Sequence, residues 1–392
     1  MITKLLVVIL LSLPQPAGAQ DAKVPVTFGY VFRTNDPAYE PHRAYTGLTL
    51  SDRHRPIDGA NSAIRESRVL ARALGLGISL VEMPLGASDE PVAVLRSALA
   101  AGTQVFLLDL PVDDIEAAAT AFAEEPGVLL FNIRHTDDRL RGEACSPALF
   151  HTLPSESMLT DALGQLLKAR GWENVLVLAG GLPEDQRRVA SFRKSAQKFG
   201  LTIVDERSFI LGTDPRQRDQ NNIALLTGDA RYDAIFLADE EGEFGRYVPY
   251  STYLPRPVVG STGLVASGWH WTWERHGAPQ LNQRFDRVAS RTMSDTDWAA
   301  WAAVRSVLEA IQRKRGVDYA GIPAQLRSAE FPLDLYKGLP GSFRPWDNQL
   351  RQPILLHTQD AVIAWAPLTG FLHQTNTLDS LGMDAPESAC RM

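Results

Sequence analysis

Acidic residues gather where apolar runs end. Asp109, Asp113 and Asp114 close and follow the run at 104–110. Asp239, Glu240, Glu241 and Glu243 follow the run at 234–238. Carboxylate oxygens are hard donors, so Asp109, Asp114, Asp239 and Glu240 are candidate ligands for a hard cation. The same types also serve as helix N-caps, which fits Asp113 and Asp239, and as solvated first-turn acids, which fits the rest; caps are the commoner use. Arg134 and His135 follow another strand-like run. Arg suits carboxylate recognition, and a loop ion pair with Asp137 or Asp138 is the alternative. Trp269, Trp271 and Trp273 alternate in "GWHWTWERHG". On an extended strand they would share one face and could wall a pocket, or pack beneath a crossover.

Catalytic signatures are missing from the sequence. It has no G-x-x-x-x-G-K-[ST], H-E-x-x-H, C-x-x-C or G-x-S-x-G, and its eight histidines are scattered. No enzyme activity and no resident cofactor are expected beyond an optional bound metal ion. The net charge of −7 carries no basic field for nucleic acid.

The elements that must hold these residues alternate. Strands are expected at 24–32, 78–82, 104–110 and 128–132, with helices at 58–74, from Pro91, and at 113–124. An irregular loop with Arg134, His135 and Cys145 runs to about Pro154. Alternation then restarts with a helix capped by Ser155 and strands at 174–179, 201–207, 234–238 and 258–260. Ser294 and Asp297 form a capping box, followed by a Trp298, Trp301, Val304, Leu308, Ile311 stripe of core type. Such alternation implies parallel sheets covered on both faces, and two runs of it imply two doubly wound α/β lobes.

The start of the chain reads as an export signal. Lys4 precedes an apolar stretch at 5–13, and Ala17-Gly18-Ala19 offers a cleavage site, so residues 1–19 are expected to be removed. The apolar stretch is shorter than the roughly 20 residues a bilayer span needs. A released, monomeric periplasmic protein is expected. In that oxidising compartment the two cysteines, Cys145 and Cys390, are either bonded to each other or both free.

Several stretches resemble the type I periplasmic binding proteins of ABC transporters, the branched-chain amino-acid-binding kind. They are "DGANSAIRES", "ALFHTLPSESMLTDALGQLLKARGWENVLVLAG", "RYDAIFLADEEGEFGRYVPYSTYLPRPVVGS" and "GLPGSFRPWDNQLRQPILL". "GLVASGWHWTWERHGAPQLNQRF" and "MSDTDWAAWAAVRSVLEAI" look like a subfamily associated with PQQ-dependent alcohol oxidation. The resemblance implies lobes at 24–153 with 279–339 and at 154–278 with 340–392. Three crossovers would join them, with a small ligand closed between. It also implies an ABC permease and ATPase as partners. Asp109, Asp113, Arg134, His135, Asp239, Glu240, Trp269 and Trp271 would then line the cleft. The small hydroxyl residues that hold an amino acid's carboxylate in that family are absent. "LLDLPVDDIEAA" and "FNIRHTDDRL" stand in their place. Three readings therefore stay open: an importer's binding component for an organic solute, a carrier of a lanthanide or calcium, and a sensor docking on a membrane receptor.

Overall fold

A computed structural model describes residues 23–44, 46–212 and 214–392. The expected signal segment lies outside them. Two parallel sheets dominate. The first contains β1 (Val24–Arg33), β2 (Leu76–Leu85), β3 (Val105–Asp109), β4 (Leu129–Asn132) and β5 (Leu149–His151), in the spatial order β2-β1-β3-β4-β5. The second contains β6 (Asn174–Ala179), β7 (Thr202–Ser208), β8 (Ala234–Ala238) and β9 (Val258–Gly260), in the order β7-β6-β8-β9. Both follow the doubly wound order in which the chain reverses direction beside its first strand, which opens a crevice at the strands' carboxyl ends. In the first sheet that crevice lies between β1 and β3, paired in register from Phe28↔Val105 to Phe32↔Asp109.

The helices form where periodicity and caps direct. Helix α1 (Ile57–Glu66) is followed, after a break, by a short helix at Arg68–Ala73. A single helix over 58–74 was expected. Ser67 interrupts it by donating its hydroxyl to the Ala63 carbonyl at 2.8 Å, a bond that competes with the helix ladder. Helices α2 (Pro91–Ala100) and α3 (Val112–Ala121) pack on the first sheet. Ser155 caps α4 (Glu156–Arg170), which ends at left-handed Gly171, and α5 (Pro183–Phe199) ends likewise at Gly200. α6 (Ala278–Ala289) precedes α7 (Asp295–Lys314), which opens with the expected Ser294–Asp297 capping box. The whole Trp298-to-Ile311 stripe of α7 is buried. Gly59 allows α1 to press against the start of α7: a Cβ there would lie 1.9 Å from the Asp297 carbonyl oxygen.

Two expected boundaries shift. Trp269 and Trp273 sit in the first lobe's core with Trp298 and Trp301, so the return crossover falls after β10 (Val265–Ser267), near Gly268 and not near 278. Phe343 and Leu350, placed in the second lobe by resemblance, also belong to the first core. Their two-residue strands pair as a hairpin, and Gln349 bridges His151 of β5. After this third crossover, β11 (Ile354–His357) joins β10 and β12 (Val362–Ala366) in an antiparallel sheet. Ile354, Leu356 and Ala366 complete the second lobe's core.

The hinge is densely hydrogen-bonded. Arg141, fully buried, donates to Gln349 Oε1 at 2.9 Å and to the Leu153 carbonyl at 3.0 Å. Gln349 Nε2 donates to the Leu153 carbonyl at 3.1 Å, and Gln352 Nε2 donates to the Thr152 carbonyl at 2.8 Å. Crossovers one and three are thereby stitched together. Cys145 and Cys390 form a disulfide with Cα atoms 5.6 Å apart, which resolves the cysteine question toward the bonded alternative.

Candidate functional site

The first lobe's crevice is built around Asp109, the last residue of β3, whose side chain is fully buried. It accepts hydrogen bonds from the Tyr30 hydroxyl at 2.6 Å, the Tyr39 hydroxyl at 2.5 Å and Arg55 Nη1 at 2.9 Å. Burial first, and the Asp109 carboxylate second, push both phenols well above the ordinary tyrosine range, so they remain donors. Arg55 also donates to the Arg33 carbonyl at 2.5 Å and spreads over Phe32 and Tyr39, 4.6 and 4.3 Å from the ring centroids.

Arg134 lies 5.3 Å from the centroid of Tyr39 and forms a two-pronged ion pair with Asp36. Burial acts to raise the Asp36 carboxyl, but Arg134 and the Ala38 N–H outweigh it and hold the group below the usual carboxylate range. Asn132 at the end of β4 shapes the turn that projects Arg134. Its Oδ1 accepts the backbone N–H groups of Arg134 and His135 at 3.1 and 2.9 Å. His135 itself does not face a ligand as a charged group. Its Nε2 bonds the Leu110 carbonyl at 2.8 Å, and burial together with Arg134 lowers its pKa to about 4. The ring is therefore a neutral donor that fixes the loop.

The second wall comes from the ends of β8 and β9. Asp239 accepts the N–H groups of Gly242 and Gly245 at 3.0 and 2.6 Å, and burial raises its pKa. Its own N–H donates to Ser261 Oγ at 2.9 Å. Arg188 of α5 donates to the same Ser261 oxygen at 2.8 Å and to Glu156 at 3.0 Å, and lies 3.5 Å from Glu240. Glu240 then crosses the cleft: Arg53 of the first lobe donates to it at 2.6 Å.

This geometry corrects the expected cation site. Asp109 is saturated by three donors, Asp114 is held by Arg33 at 2.7 and 3.0 Å, and Asp239 ties down its own loop. Glu240 is neutralised by Arg53 and Arg188. Arginines remove the repulsion at Asp109, Asp114 and Glu240, while Asp239 is held by backbone N–H groups. Among the described residues, no three His, Cys, Asp or Glu side chains are grouped to hold a metal ion. Asp113 points to solvent, its side chain 92% exposed and paired with Arg139. Trp269 is buried and stacks on Trp298 at 6.0 Å, while Trp271 is exposed. The 269–273 segment is a turn and not a strand, so alternation there does not give one face. Tyr30, Asp36, Tyr39, Arg53, Arg55, Asn132, Arg188 and Ser261 were missed. Only the aromatic-arginine content of 30–55 could have flagged part of this set.

The fold is that of the type I periplasmic binding proteins, two α/β lobes with their switch-point crevices facing each other. A family model described as periplasmic binding protein matches residues 86–245. The chain is similar in structure to a branched-chain amino acid ABC transporter periplasmic ligand-binding protein of Burkholderia xenovorans LB400. That match has a TM-score of 0.67 at 14% identity and covers 87% of this chain and 95% of that one. It is also similar to an ABC transporter substrate-binding protein from Desulfitobacterium hafniense in complex with Leu. There the TM-score is 0.63 at 16% identity, with 88% and 99% covered. A solute-binding protein of R. palustris in complex with benzoate matches with a TM-score of 0.61 at 12% identity, covering 94% and 99%. No curated protein matches the chain. Among the described residues, no helix is long and apolar enough to cross a membrane.

Proposed function

We propose that this chain is the periplasmic solute-binding component of an ABC importer, without enzymatic activity, and that it holds a small organic acid between its lobes. The observation that carries the reading is the arginine-on-tyrosine wall. Arg55 and Arg134 lie against Tyr39, and Arg53 and Arg188 meet at Glu240 across the cleft. Guanidinium forks match carboxylate geometry and remain charged. A ligand carboxylate would share these guanidinium groups with Asp36, Asp109 and Glu240, in place of the grip that the absent hydroxyl residues give to an amino acid. Relatives of this fold hold leucine and benzoate, both carboxylates. In this reading Arg134 and Glu240 line the ligand's place, and Asp109 sets Arg55 and Tyr39 in position. Asp113 and Trp269 leave the ligand set. Service to a PQQ-dependent alcohol oxidation system is supported by the Trp-rich stretches, and alcohol oxidation yields acids of this class.

A melting-temperature titration tests the reading, since a ligand at a hundred times its Kd stabilises by about 2.7 kcal/mol. Benzoate and short alcohol-derived acids are expected to raise Tm, and Arg134→Gln to abolish the rise. A response to lanthanum or calcium and to none of the acids would overturn it. So would an acid response unchanged by Arg134→Gln.

A further inference from the structure

We propose that the C-terminal segment is a fourth connection across the hinge, closed by the Cys145–Cys390 disulfide, and that it limits how far the lobes open. The inference goes beyond solute binding and needs no ligand. Cys145 lies before α4, where the chain has not yet entered the second lobe, and Cys390 lies 245 residues later. The bonded loop therefore contains the whole second lobe. At its start the chain is held in the first lobe by buried Leu140 and Leu149. At its end it is held by the second lobe and, through Arg344 and Arg351 of the hairpin, by bonds to Asp379 and the Leu381 and Met383 carbonyls. Leu381 lies in that core, and the Gly382 N–H donates to Asp161 of α4 at 2.8 Å. Lys198 of α5 donates to the Gly382 carbonyl at 3.0 Å. From there eight residues lead back to Cys390, buried and bonded to the first lobe.

Eight residues span at most about 29 Å when fully extended. Here part of that reach is folded away in a short helical turn at Ala385–Glu387, whose Asp384–Glu387 capping box holds it closed. The segment is a strap with a defined slack. Without the disulfide, the second lobe would stay tied to the first by its three crossovers and by the non-covalent bonds of Arg344 and Arg351 to the segment at 379–383, which can break as the lobes part.

Small-angle X-ray scattering on the full chain tests this. Reduction should raise the radius of gyration, and reoxidation should restore it. Cys145→Ser with Cys390→Ser should match the reduced state. Four glycines inserted after Glu387 keep the bond and lengthen the strap, so they too should raise the radius. This covers the case in which loss of the bond unfolds the chain. Unchanged scattering from reduced protein, with both thiols shown free by alkylation and mass spectrometry, would overturn the proposal. An unchanged radius in the insertion variant, or two free thiols in protein isolated under oxidising conditions, would do the same.

Discussion

Replacing Asp109 with Asn changes one atom and removes one charge at the centre of the first crevice. The carboxylate has no solvent exposure and serves three donors, one of them a guanidinium. Hydrogen bonds to a charged group contribute about 1.5–3 kcal/mol each, and breaking a buried ion pair costs about 3–5 kcal/mol. Asn keeps one acceptor oxygen but turns an N–H pair toward Tyr30 or Tyr39, whose hydroxyls lie at 2.6 and 2.5 Å and are already donating. Either Tyr39 alone or Tyr30 together with Arg55 is then left unmatched, and Arg55 loses its counter-charge. The bonds are not additive, so about 3–5 kcal/mol is the expected total. At about 2–4 °C per kcal/mol for a lobe of this size, the melting temperature should fall by about 10 °C. Asp113→Asn is the control, because that side chain is 92% exposed. It should leave the melting curve where it was. Calorimetry of both variants decides the matter. Equal melting temperatures would show that the Asp109 network is not desolvated, and the whole reading of the crevice would fail with it.

Trp269→Ala should cost about 3–5 kcal/mol, because it removes a buried indole stacked on Trp298, while Trp271→Ala should be near neutral; denaturant melts of the pair check this. Stability should also decline as pH falls from about 6.5 toward 4. His135 and His270 have folded pKa values lowered to about 4 by burial, helped by Arg134 and His357 respectively, so below the ordinary histidine pKa the unfolded chain binds protons that the folded one refuses. Asp295, which burial raises against the pull of Lys337, acts with the opposite sign, and melts across pH check the net decline.

The two-lobed α/β architecture was legible because buried parallel strands read as short apolar runs, and β3, β6, β8 and β9 fall close to where those runs stand. Helix ends were legible through Ser155, Ser294 and the glycines that follow α4 and α5. Asp109 was placed correctly at a strand end. Its meaning was not, because its partners Tyr30, Tyr39 and Arg55 lie 54 to 79 residues earlier in sequence and carry no periodic signal. Charge pairing is set by tertiary approach, so three of the acids read as a cation site, Asp109, Asp114 and Glu240, are neutralised by arginines from other segments, and Asp239 caps its own loop. The crossover near 278 came from the resemblance, and the alternation of Trp269, Trp271 and Trp273 suggested a strand where the chain makes a turn, because a turn can share that spacing.

The cross-linked crossovers bear on how the molecule can move. With Gln349 and Gln352 bonded to the carbonyls of Leu153 and Thr152, the first and third crossovers form a single ribbon. A ribbon bends easily about its flat face and resists twisting or shearing within its plane. Neither crossover can then slide past the other without breaking the Gln349 and Gln352 bonds, so the two strands of the hinge keep a common register.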